Sequence, residues 1–248
     1  MTGPLAFLPI HAAGIYNTDG TVSCSLGDIA ISSYTPSLSA LLKSSQRTVS
    51  EQAGVELLVV SQSNTPGSKA LPGAENELLQ IRKHASALKS LQGKEATVTQ
   101  VLSMMKKSRW VHFACHGIQD TADPMDSGLR LSDGLLRLSD IIKEPLLDAE
   151  FAFLSACQTA TGDKDRPEEA IHLASGMLLA GYRGVVGTMW SIRDDVAPLV
   201  ADKVYAEILR DGKPNSARAA QALHTTVRGL RDRSYSFASW VPFIHMGV

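Results

Sequence analysis

The sequence predicts an α/β fold, a mainly parallel sheet with helices on both faces, and three observations carry that expectation. Runs at 55–61, 110–115, 150–155 and 184–189 are almost continuously apolar, the signature of strands buried on both faces. The segments between them are helix-length, which parallel strands require because their connection must return the chain to the starting edge. No internal repeat, low-complexity tract or long linker interrupts the pattern, so 1–248 is expected to form one domain.

In chain order, 5–10 (LAFLPI) and 28–33 (DIAISS) are expected as strands, the first confined to an edge by Pro9. The Thr-Pro-Ser signal at 35–37 opens a helix over 34–43 with Leu38, Leu41 and Leu42 as its apolar stripe. After the 55–61 strand, a Ser-, Asn-, Pro- and Gly-rich loop covers 61–73. A helix is then expected over 75–91, with Leu78, Ile81, Ala85 and Leu88 on one face. A short strand at 96–98 and a helix at 99–107 lead into the 110–115 strand. The C-terminal half should hold helices at 168–181, 194–211 and 215–231, and a closing strand at 240–245.

Composition narrows the function classes. A net charge of −1 provides no basic field for nucleic acid or an anionic membrane surface. No apolar run approaches a bilayer span, and the N-terminus lacks the basic region of a secretory signal. Three irregularly spaced cysteines, Cys24, Cys115 and Cys157, make no disulfide framework and suit a reducing, cytoplasmic setting.

Two motifs carry chemistry. In Val-His-Phe-Ala-Cys-His-Gly (111–117), apolar strand formers end in His116-Gly117, and a polar loop follows. In Phe-Ala-Phe-Leu-Ser-Ala-Cys-Gln-Thr-Ala (151–160), a buried strand ends in small residues and then Cys157. Ligands of open α/β sheets bind at the carboxyl ends of strands, where both residues fall. An imidazole beside a thiol is what nucleophilic sulfur chemistry needs, because the thiolate attacks and the imidazole moves its proton. The backbone N–H groups of Gly117 and Cys157 are natural oxyanion donors, a role independent of side chain.

These two motifs, with EEAIHLASGMLLAGYRGVVGTMWSIRDD (168–195) and the ending WVPFIHMG, resemble the CHAT domain, in wording closest to fungal members. The resemblance runs from about residue 5 to the C-terminus. It implies a caspase/separase-type, clan CD three-layer sandwich and a cysteine endopeptidase with His116 as base and Cys157 as nucleophile. Their spacing is close to the ~50 residues that separate the pair in caspases. The resemblance further implies regulated proteolysis in cell death or defence, protein substrates that include gasdermin-like proteins, and a regulatory repeat domain such as tetratricopeptide repeats. The same fold without activity, serving as a signalling domain, is the alternative. Domains of this type carry a further helix and the start of a strand before the segment at 3–10, so the chain is expected to be a C-terminal domain of a larger protein or a trimmed copy.

Substrate contacts are less defined. Arg-specific members of the clan can carry an acid two positions before the nucleophile, and here that position is Ser155. An acidic specificity would need arginines, for which Arg130, Arg183 and Arg193 are candidates. Asp194 and Asp195 follow a strand end near the expected cleft, although negative charge in a first helical turn is the favoured account of them. His112, Cys115 and His116 lack the helical spacing and fourth ligand of a zinc site, so His112 is expected as a hydrogen-bonded core residue and Cys115 as packed. The glycines near 184 precede a strand and no phosphate-binding loop occurs, so no cofactor is expected.

Overall fold

The structure, a computed structural model, describes residues 8–18, 21–46, 56–85, 87–120, 123–155, 169–212 and 214–248. A two-stranded antiparallel hairpin, β1 (Gly14–Tyr16) and β2 (Val22–Ser25), precedes helix α1 (Leu38–Gln46). Then come β3 (Leu57–Ser61), α2 (Pro72–Arg82), β4 (Leu88–Gln92), α3 (Val98–Met105) and β5 (Trp110–Ala114). Three short strands follow, β6 (His116–Ile118), β7 (Gly128–Arg130) and β8 (Leu135–Arg137), with α4 (Leu138–Lys143) directly after them. The remainder is β9 (Phe151–Leu154), α5 (Glu169–Ala180), β10 (Gly184–Thr188), α6 (Ala197–Ile208), α7 (Ala219–Asp232), α8 (Phe237–Trp240) and β11 (Phe243–Gly247).

Six strands form the central sheet in the order β11-β10-β9-β5-β3-β4, all parallel except the β10–β11 pair. Side chains alternate across it and build two cores. Val111, Phe113, Ala152 and Leu154 face one layer with α3, α4 and α5; Trp110, Phe151 and Phe153 face the other with α2, α6 and α7. The four strands β3, β5, β9 and β10 are buried at every position, which explains why their sequences carry no polar alternation. The expected α/β sandwich with a mainly parallel sheet is therefore present.

Several local expectations are corrected. Residues 5–7 lie outside the described residues, and the chain beyond them makes a 3-10 turn at Ile10–Ala12 instead of a strand. At 28–33 there is no strand either; the segment meets β11 through the Ser33 hydroxyl, bonded to His245 and the Gly247 carbonyl, and Tyr34 just beyond it bridges Met246. Leu88 belongs to β4, not to the preceding helix, which ends at Arg82. β4 is an edge strand, exposed at Lys89 and Gln92 and fully buried nowhere, and its Leu88 and Leu91 continue the three-and-four spacing of the helix before it. The strand expected at 96–98 is absent for the same reason, since β4 already fills that edge.

Candidate active site

The carboxyl ends of β3, β5, β9 and β10 share one edge of the sheet. β5 and β9 are adjacent and parallel, with Phe113 opposite Leu154, and the Ser155 N–H donates to the Phe113 carbonyl at 2.8 Å. His116 lies two residues past the end of β5. Cys157 lies two residues past Ser155 and is outside the described residues, which stop at 155 and resume at 169.

His116 opens β6 and is buried, at 2% exposure. Its Nε2 is 2.7 Å from the Lys69 carbonyl, in the loop between β3 and α2. A carbonyl only accepts, so Nε2 carries the proton and Nδ1 is the basic nitrogen of the neutral ring. Gly117 follows in β6, opposite Leu129 of β7. The bonds Leu138 N–H to Ser127 O and Leu131 N–H to Gly134 O mark the odd-numbered residues of β7 as its hydrogen-bonded positions toward β8. Antiparallel alternation then turns Gly128 and Arg130 toward β6, where they pair with Ile118 and His116. Gly117 is thus in the non-hydrogen-bonded register, and its N–H points out of the ladder, as an oxyanion donor requires.

Beneath this edge is a buried polar cluster. Glu77 of α2 accepts from the Ser155 hydroxyl at 2.9 Å, and its other oxygen is 3.0 Å from His112 Nε2. Tyr205 of α6 places its hydroxyl 3.4 Å from His112 Nδ1, so the hydroxyl donates there and Nε2–H donates to Glu77. Burial pushes the Glu77 carboxyl above its ordinary range, and the two donors oppose that shift. Asp194, after β10, accepts the Gly73 N–H at 2.7 Å in the first turn of α2, whose N-terminus has no side-chain cap of its own. One stretch of chain, 69–77, therefore holds the His116 ring through a carbonyl and the approach to Cys157 through a carboxylate.

The expectation that Ser155, Asp194 and Asp195 contact substrate meets a different geometry. Ser155 turns inward to Glu77, Asp194 caps α2, and Asp195 makes an exposed ion pair with Arg193 at 2.8 Å. Arg183 lies before β10, at the opposite edge of the sheet, and donates to the Ser44 carbonyl. Of the three arginines, Arg130 alone borders His116. Cys115 is packed in the α3–α5 layer, opposite the His112 side. Among the described residues no three His, Cys, Asp or Glu side chains are grouped to hold a metal, and no helix is long and apolar enough to cross a membrane.

Sequence reasoning missed Glu77. Its signal was present: it shares a helix face with Ala74 and Ile81, both buried, so a carboxylate on that stripe had to find buried donors.

The CHAT domain family matches this sequence over residues 1–248. The chain belongs to the CHAT domain family. No curated protein sequence matches it. Among solved structures, the separase in the Saccharomyces cerevisiae separase–securin complex superposes with a TM-score of 0.58 at 16% identity, over 90% of this chain and 14% of that one. The Arg-specific cysteine proteinase gingipain R gives 0.55 at 11% identity, over 84% of this chain and 50% of the other. RgpB of Porphyromonas gingivalis, in the complex of its pro- and mature domains, gives 0.52 at 10%, over 84% and 51%. The CHAT chain thus spans about half the length of these gingipain chains, and the likeness shows a shared, caspase-like fold.

Proposed function

We propose that this CHAT domain is a cysteine endopeptidase in which Cys157 is the nucleophile and His116 its base. The observation that supports the reading is the pairing of β5 with β9, which sets the end of β5, two residues before His116, beside Ser155, two residues before Cys157. The ring orientation supports it: with Nε2–H given to Lys69, the nitrogen of His116 that takes a thiol proton is Nδ1.

In this mechanism the Cys157 sulfur attacks the scissile carbonyl carbon while its proton passes to His116. The carbonyl oxygen becomes an oxyanion, held by the N–H of Gly117 and that of Cys157. Collapse breaks the C–N bond, and the imidazolium protonates the departing amine. Water then attacks the thioester, giving its proton to His116, which returns it to the sulfur as the carboxylate leaves. The Lys69 carbonyl orients the imidazole, so no third side chain is needed for that role, and Glu77 holds Ser155, two residues before the nucleophile in sequence.

The test is cleavage of a proteome, read as new N-termini, by the wild-type chain and by Cys157→Ala and His116→Ala. Each substitution should lower cleavage by at least about 10³-fold. Undiminished cleavage by either variant, or no cleavage by any of the three, would sink the proposal; the second result would leave the fold as a signalling module.

A further inference from the structure

The site holds one cation whose role the proposed chemistry does not use. Arg130 is directly opposite His116 in the β6–β7 pair. Side chains of opposed residues project from the same face of an antiparallel pair, with Cβ atoms about 4.5–5.5 Å apart. Its neighbours Leu129 and Leu131 point the other way and are buried in the core at 1% exposure each. Arg130 is half-buried, and among the described residues its side chain makes no ion pair or hydrogen bond. A guanidinium carries five donors, and leaving them all to solvent beside a reacting centre gains the fold nothing. Lys69, whose carbonyl holds the His116 ring, is exposed and carries its ammonium on a flexible four-carbon stem. The two carboxylates tied to this edge are already spent, Glu77 on His112 and Ser155, Asp194 on the Gly73 amide.

We propose that Arg130, assisted by the charge of Lys69, recognises a carboxylate side chain of the substrate next to the scissile bond, so that the enzyme cuts acidic segments. This rests on the Cys157–His116 reading, whose nucleophile supplies the reacting atom. A planar fork of donors suits a carboxylate, which it binds through two parallel N–H···O bonds. Cutting of basic segments, the specificity named for gingipain R, would set like charge against like at this position.

The test separates the anion site from the peptidase reading. Alkylation of Cys157 by iodoacetate and by iodoacetamide is followed by mass spectrometry in the wild type, Arg130→Ala and Arg130→Glu, with exposed Cys24 as internal reference. The iodoacetate-to-iodoacetamide rate ratio at Cys157 should exceed that at Cys24 and fall by about threefold in Arg130→Ala, further in Arg130→Glu. Both reagents need the same thiolate, so the ratio cancels any change in thiolate fraction that loss of a neighbouring cation brings, and only recognition of the reagent's carboxylate moves it. In parallel, cleavage of a peptide library by the wild type should favour Asp or Glu beside the cut, and Arg130→Glu should reverse the preference. An unmoved ratio, or cleavage whose charge preference ignores Arg130, overturns the proposal. A ratio that moves as expected in a protein that cleaves nothing upholds the anion site and removes the peptidase reading. A Cys157 that reacts with neither reagent removes both.

Discussion

Gly73→Ala should damage the site from a distance, because Gly73 is where Asp194 reaches across to α2. A Cβ there would stand 2.3 Å from the Asp194 carbonyl oxygen and 2.5 Å from its Oδ1, against an ordinary contact of 3.4–4 Å. Turning the carboxylate away leaves the backbone clash in place, so the loop and the helix must part by about 1 Å, a displacement worth about 10²-fold when it reaches a reacting centre. Overpacking costs about 1–3 kcal/mol and loss of the cap about 0.5–2. The better helix propensity of Ala returns up to about 1 kcal/mol. The net is a loss of about 0.5–5 kcal/mol, a fall in Tm of about 1–20 °C at the roughly 2–4 °C per kcal/mol typical of a chain of this size. Either end of the 69–77 stretch transmits the strain, to His116 through Lys69 or to Ser155 through Glu77. Thermal melts give the first quantity, and the iodoacetamide rate at Cys157 gives the second. Gly134→Ala is the control, since nothing lies within 4 Å of its added methyl. A Gly73→Ala protein that matches Gly134→Ala in both Tm and Cys157 reactivity would refute the claim that this contact braces the site.

Three further outcomes are expected. Ser155→Ala deprives a buried carboxylate of a donor, a loss of about 1.5–3 kcal/mol; because it lifts the already raised Glu77 carboxyl further, the loss should stay constant until pH passes the wild type's raised folded value and grow above it in denaturation curves, and a pH-independent loss would contradict the bond. His245 of β11 bonds Ser33 through Nδ1, its Nε2 is buried without a partner, and burial lowers its pKa from 6.5 to about 4. Its contribution is full above pH 6.5 and lost as pH falls through about 4, roughly 3 kcal/mol in all; His245→Asn should flatten the stability curve over that window, and parallel curves for the two proteins would disprove it. Arg231 of α7 pins the N-terminal segment through Ser25 and Asp28, whose carboxyl it pulls down to about 2, so Arg231→Ala should speed limited proteolysis between residues 8 and 34 while cleavage elsewhere stays constant.

What could be read from the sequence follows the range of the forces involved. β3, β5, β9 and β10 were legible because burial on both faces writes itself into each strand locally, as an unbroken apolar run. β4 was not, since a half-exposed edge strand needs few apolar residues and Leu88 and Leu91 fit a helix equally well. The same contrast divides the site. His116 and Cys157 stand out because chemistry demands those residue types at strand ends, whatever the rest of the chain does.

The residues that hold them were hidden by a different logic. Lys69 acts through its carbonyl, which any amino acid supplies, so no side-chain pattern could announce it. Asp194 looked like a charge for its own helix α6 but caps α2, 121 positions away in sequence, because the sheet brings the β10 end beside the β3–α2 loop. Glu77 was the exception that local reasoning could have caught. A carboxylate between Ala74 and Ile81 on a buried stripe costs several kcal/mol unless donors meet it, and that demand alone requires partners from neighbouring elements. They are His112 from β5 and Ser155 from the end of β9. A charge on the wrong face of a helix was therefore the one local sign that the two strands leading to the proposed dyad are bound together from below.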